Sequence, residues 1–192
     1  MSISKITLRT ALFAAVATAG FAAIPVQAKM MSSNTVMVGG AAMYPTKNII
    51  ENAVNSKDHT SLVAAVKAAG LVETLSGPGP FTVFAPTNAA FGKLPAGTVE
   101  TLVKPENKAT LTTILTYHVV AGKMNAKDIA AAIKAGNGKA VLTTVQGEKI
   151  TASLMGKTVM ITDAKGGMSH VTIADVNQSN GVIHVVDAVL LP

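Results

Sequence analysis

The stretch "ILTYHVVAG", Ile114 to Gly122, sets a phenol and an imidazole side by side in an aliphatic run. Polar tips in such a run must be paired internally, exposed on one face, or engaged in chemistry. A histidine acting as base needs a nucleophile within hydrogen-bond reach and an acid to orient it. Asp175 and Asp187 are acids able to orient an imidazole, but the nucleophile is missing. No serine sits in a G-x-S-x-G elbow, and Ser61, Ser76, Ser153, Ser169 and Ser179 fall in helical, turn or strand settings. The chain has no cysteine, which removes thiolate nucleophiles, thiolate metal sites and disulfides together. The sequence therefore predicts no enzyme and no catalytic residue.

Metal chemistry fares no better. His59, His118, His170 and His184 lie far apart with no H-x-x-x-H spacing, whereas catalytic zinc commonly takes three protein ligands. No metal site and no cofactor are expected. Met30, Met31, Met37 and Met43 lie close together near the start, and thioethers are soft ligands suited to Cu(I). Their spacing is irregular and no His accompanies them, so gap-filling or simple disorder is the plainer reading. A periplasmic small-ligand or copper-handling protein using this segment is kept as the alternative function.

The elements that must position Tyr117 and His118 can be read from period and punctuation. Thr46 is placed to cap a helix over "KNIIENAVN", and Asp58 or Thr60 to cap "SLVAAVKAAG", which Gly70 stops. "SGPGP" breaks regular structure, and "FTVFAP" follows as a short strand ended by Pro86. Thr87 or Asn88 caps the brief helix carrying Phe91; "PAGTVETLV" and "PENKATLTTILTY" read as two more helices. "YHVV" reads as a strand by its β-branched content, and "NAKDIAAAIKAG" as a helix with Asn125 as cap. From Lys139 onward the period is two. "KAVLTTVQGEKITASL" is a hairpin turning near Gln146-Gly147, then come "TVMIT", a "KGG" loop and "HVTIADV". The last strand, in "GVIHVVDAVLLP", is apolar on both parities and should be covered on both faces. The fold class is α+β, a helix-rich first half packed on a strand-rich second half.

Consecutive strand residues face opposite ways, so Tyr117 and His118 are expected to diverge. His118 is expected to be the inward, neutral member, bridging its strand to the "APTN" turn at Thr87-Asn88. Asp187, among "VIHVVDAVLL", needs donors, and backbone N–H groups at a turn after Val186 are the expected ones.

The ends bound the compartment. Residues 1–28 carry Lys5 and Arg9, an apolar run ended by Pro25, and "VQA", the pattern of a secretory signal peptide cleaved after Ala28. Residues 29–45 form a Met- and Gly-rich leader expected to be flexible, and 46–192 one domain. Cleavage removes two of the 16 basic residues, leaving 14 lysines against 10 acids and no arginine. Without the guanidinium forks that read phosphate and guanine, nucleic acid is not an expected partner. The mature chain is expected to lack a membrane span, to be monomeric, and to reside in the periplasm or outside the cell.

Three stretches, "FTVFAPTNAAF", "TYHVV" and "NGVIHVVDAVLLP", resemble in order and spacing the two end motifs and the central Tyr-His motif of the fasciclin domain. The resemblance runs from about Met43 to Pro192. It implies a wedge or sandwich of short strands with helices along its edge, and a single-domain secreted bacterial member of the family. It also implies a role in adhesion, contacting a cell-surface, envelope or matrix protein or glycan. In animal matrix members the Tyr-His pair and its aliphatic flanks are associated with integrin binding. The matching positions here are Tyr117 and His118 with Ile114, Leu115, Val119 and Val120; Phe81, Phe84, Pro86, Thr87, Asn88, Phe91, His184 and Asp187 match as structural motif residues. Asn88 stands where many members have an acid, and no Arg-Gly-Asp is present.

Overall fold

The structure is a computed structural model and describes residues 35–192. The expected signal peptide and residues 29–34 of the expected leader lie outside the described residues.

The described chain opens on a hairpin, β1 (Val36–Val38) and β2 (Ala41–Met43), paired antiparallel. This corrects the expectation of a flexible leader through residue 45. Gly39 and Gly40, at φ 58° and 75°, supply the positive-φ pair a tight hairpin turn demands. Val38 and Met43 are then buried. Two three-residue strands are too short to show a period, which is why the sequence conceals them.

The helical half follows, with α1 (Ile49–Ala53), α2 (Thr60–Ala69) and α3 (Val72–Ser76). Asn48, not Thr46, caps α1: its side chain accepts from Glu51 N at 2.8 Å while Glu51 Oε2 accepts from Asn48 N at 2.8 Å, a reciprocal capping box. Next come β3 (Phe81–Pro86), α4 (Asn88–Gly92), α5 (Thr98–Leu102), α6 (Lys108–Tyr117), β4 (Val119–Ala121) and α7 (Ala126–Ala135). Pro105 opens a 3-10 turn, Pro105–Asn107, ahead of α6. The strand-rich half consists of β5 (Lys139–Thr143), β6 (Lys149–Met155), β7 (Thr158–Thr162), β8 (Met168–Gln178) and β9 (Gly181–Val186).

Seven strands form one mixed sheet in the order β4-β3-β9-β8-β7-β6-β5. Only the β3–β9 pair is parallel, in register from Phe81–Gly181 to Pro86–Val186. The far ends of the sheet approach each other through a bridge between Val120 and Thr144, curling it into a near-barrel. The mixed α+β architecture expected from the sequence is therefore the one found.

Alternation along β3 and β9 separates two cores. Val83, Ala85, Ile183 and Val185 face the helical layer, with Leu62, Val66, Leu111, Leu115 and the β1–β2 hairpin. Phe84 and Val186 face the opposite way, toward Tyr117, Ile129, Ile133, Ile150, Ala152 and Ile161. Strand β9 is buried at all six positions, as its apolar run predicts for a strand covered on both faces.

Candidate functional site

Tyr117 and His118 do not lie in a strand. Tyr117 is the last residue of α6 and His118 its αR-conformation cap, with β4 beginning at Val119. The helical period decides this. Leu111, Ile114 and Leu115 set a stripe whose next members, at i+3 and i+4 from Ile114, are Tyr117 and His118. The β-branched residues that suggested a strand act only from Val119. The two side chains still diverge, because neighbours on a helix are about 100° apart. Tyr117 enters the second core and His118 the space beneath the helical layer.

Every polar atom of the pair is engaged. The Tyr117 hydroxyl donates to Lys149 O at 3.2 Å and accepts from Ala164 N at 2.9 Å. On His118, Nδ1 lies 2.8 Å from Ile114 O and Nε2 lies 2.9 Å from Leu190 N. A carbonyl requires a donor and an N–H requires an acceptor, so the network assigns the neutral tautomer protonated on Nδ1. Burial pushes the imidazole down to about 4 against a smaller raising pull from the Ile114 carbonyl and Asp163. Burial pushes the Tyr117 hydroxyl up. A phenol and an imidazole thus pin the end of α6 to the β5–β6 hairpin, to the β7–β8 turn and to the segment after β9. The expected bridge from the His118 ring to Thr87-Asn88 is not made; the ring reaches Leu190 instead. Ile114, Leu115, Val119 and Val120 are buried with the pair, so none of the six forms an exposed surface. Tyr117→Phe is expected to lower stability by about 1–2 kcal/mol by orphaning the Ala164 N–H, read as a shifted urea midpoint with an unchanged slope.

Asp163 completes this clasp, and the sequence reading passed over it. It is 8% exposed and accepts from Lys165 N at 3.0 Å, Gly167 N at 2.7 Å and Leu191 N at 3.0 Å. The legible signal was "DAKGG", an aspartate followed by a glycine turn, where the carboxylate bonds backbone two residues on.

The end motifs meet on the paired strands β3 and β9. His184 stacks on Phe84 with ring centroids 5.7 Å apart. Its Nε2 donates to Met124 O at 2.9 Å, and its Nδ1 accepts from Asp175 N at 3.4 Å. Burial lowers its pKa. Phe91 and Pro86 are buried, while Phe81 and Thr87 are half-buried. Asp187 finds its backbone donor on the neighbouring strand β8 and a side-chain donor in Lys93 after α4, not at its own turn. Its Oδ1 accepts from His170 N at 2.8 Å, and its Oδ2 faces Lys93 Nζ at 3.4 Å and His170 Nδ1 at 3.5 Å. Desolvation raises this carboxyl, but the His170 N–H and Lys93 outweigh it and hold it below its ordinary value.

A serine–histidine contact is present too, Ser56 Oγ to His59 Nδ1 at 2.9 Å. Ser56 and His59 are 2% and 3% exposed. They border an apolar cavity of about 40 Å³ shared with His118, room for little more than water. No orienting carboxylate bonds this histidine, and burial lowers its pKa.

Residues 57–192 match the family model described as Fasciclin domain. The chain belongs to the fasciclin domain family. "Protein sll1483" of Synechocystis sp. is 47% identical over 161 residues, 84% of this chain and 82% of the relative. "Immunogenic protein MPB70" of Mycobacterium bovis is 33% identical, covering 98% of this chain and 97% of the relative. A solved FAS1 domain pair from the insect cell adhesion molecule Fasciclin I shares the fold. It has a TM-score of 0.68 at 20% identity, over 78% of this chain and 52% of that one.

Within the fasciclin domain, Asn88 takes a specific structural part. Thr87 caps α4 through Ala90 N at 3.2 Å, which leaves the Asn88 side chain free to reach α2. Its Oδ1 accepts from Thr60 Oγ1 at 3.1 Å and Ser61 N at 3.0 Å, and its Nδ2 donates to Lys57 O at 2.8 Å. It therefore caps α2 from a distance, where neither Asp58 nor Thr60 does so. Asn88→Ala should cost about 1–2 kcal/mol, the usual loss for a cap. Asn88→Asp should lose far less, since a carboxylate keeps both acceptor bonds beside a helix start. Thermal melts of the two variants separate these outcomes.

The copper alternative loses one of its four ligands here. Met43 is 3% exposed inside the first core, Met37 is 59% exposed, and Met30 and Met31 lie outside the described residues. Among the described residues no helix is long and apolar enough to cross a membrane.

Proposed function

We propose that this fasciclin-family chain is a secreted, non-enzymatic adhesion module that contacts cell-surface, envelope or matrix components, with residues 1–28 acting as its export signal. The observation that carries this reading is where polar chemistry is consumed and where surface is left open. Tyr117, His118 and His184 have both polar functions satisfied internally, and the Ser56–His59 contact borders a space too small for a substrate. The outer face of β5–β8, by contrast, is uncovered. Val141, Met155 and Met168 stand 58–60% exposed on it, among Thr143, Thr151, Ser153, Thr158, Thr162 and Thr172. Large apolar groups exposed together on one face of a sheet mark interaction surfaces. The named role of the solved insect relative in cell adhesion supports the same reading.

The contact is therefore assigned to this face and not to the buried Tyr117-His118 pair. The test is binding of the labelled mature protein to intact bacteria and to purified envelope and matrix fractions. Thr143→Glu with Thr158→Glu, exposed positions on strands that do not pair with each other, should weaken binding at least tenfold at an unchanged melting temperature. Equal binding by that variant, or no binding to any fraction, overturns the proposal.

A further inference from the structure

The same face brings together a set of side chains that the linear sequence scatters. In the β7–β8 ladder Met160 stands directly opposite His170, and Thr162 opposite Met168. Met160, Met168 and His170 all fall on the outward parity, because Val159, Ile161, Ser169 and Val171 between them are buried. Directly opposed Cβ atoms are about 4.5–5.5 Å apart and diagonal ones about 7–8 Å. Residues two apart on one strand are separated by roughly 6.5–7 Å. Two flexible thioethers and one imidazole thus surround a single patch of surface within side-chain reach. Met168 is 59% exposed, while Met160 and His170 are half-buried.

The histidine is oriented for the purpose. Asp187 Oδ2 lies 3.5 Å from His170 Nδ1, and Asp187 Oδ1 accepts the backbone N–H of the same residue at 2.8 Å. A carboxylate beside one ring nitrogen favours the tautomer protonated there and leaves the other nitrogen as a ligand, as in carboxylate–histidine–metal arrangements. Lys93 shares the carboxylate at 3.4 Å; among the described residues it is the one other charged group paired with Asp187. Among the described residues no three His, Asp or Glu side chains converge on a point, so a hard or borderline ion has no comparable cage. Thioether with imidazole selects a soft monovalent ion.

We infer that Met160, Met168 and His170 form a binding site for Cu(I) on the outer face of the β7–β8 ladder. The site goes beyond the contact role proposed above, and its test needs no adhesion partner, so either can fail alone.

The full chain is titrated with Cu(I) against a chromophoric chelator, and with Ag(I) while methionine methyl signals are followed by NMR. One ion per chain is expected. Met160→Leu, Met168→Leu and His170→Ala should each weaken Cu(I) binding at least tenfold, with melting temperatures near that of the parent. Ag(I) should move the methyl signals of Met160 and Met168. Met155 pairs with Thr158 on the far side of Met160, so Met155→Leu should leave the affinity unchanged. A combined Met30→Leu, Met31→Leu, Met37→Leu variant should also bind as the parent does. Absence of binding, indifference to the three substitutions, or loss of binding in the leader variant each overturns the assignment.

Discussion

His118→Ala is expected to destabilise the domain by about 3–5 kcal/mol, the range seen when a large buried side chain is truncated and polar partners are left behind. The ring is 2% exposed and bonds Ile114 O and Leu190 N. Its removal leaves a buried N–H without an acceptor and a void beside the existing cavity. The same residue sets a pH signature. Its pKa in the fold, about 4, lies below the ordinary 6.5, so the unfolded chain binds the proton first as pH falls. Stability is therefore fully present above pH 6.5 and declines through the interval down to about 4, by roughly 3 kcal/mol for this group at about 1.4 kcal/mol per pH unit. His59 and His184, both lowered mainly by burial, act in the same direction. The His118→Ala protein should be less stable at pH 7, and its stability should depend less steeply on pH between 6.5 and 4. Urea unfolding at a series of pH values measures both. A parent-like pH slope in the variant, or an NMR titration of His118 near 6.5, contradicts the buried clasp.

Phe84→Ala is expected to cost about 3–5 kcal/mol. Phe84 has no exposed surface and stacks on His184 at the centre of the β3–β9 pair. Phe84→Leu keeps most of the volume and should lose only about 1–1.5 kcal/mol. The comparison separates volume from stacking. Urea midpoints should order parent, Leu and Ala, with one common slope if the compactness of both end states is unchanged.

What the sequence made legible was the part with a clear period. Ile150 and Ala152 are buried as their alternation predicts, and β9 is buried throughout as its unbroken apolar run predicts. The clasp was legible in type and not in place. That His118 is inward and neutral follows from its aliphatic flanks, but the local pattern could not name Leu190 as its partner, 72 residues away. The strand assigned to "YHVV" failed because two β-branched residues outweighed the stripe of Leu111, Ile114 and Leu115 arriving from upstream. Asn88 was visible as a cap, yet which helix it caps depends on tertiary approach alone. The outer-face trio was invisible for a different reason: cross-strand register is a pairing, and no single strand contains it.

One feature of the sheet bears on how such a chain is made. β9 lies between β3 and β8, yet it follows every other element of the fold in order of synthesis. Until Gly181–Val186 leaves the ribosome, β3 and β8 both present bare edges inviting mispairing with other chains. The keystone arrives after the arch, so the sheet closes only once this strand has been made. A product shortened by a dozen residues at that end would be a substrate for chaperones and proteases, not a smaller working module.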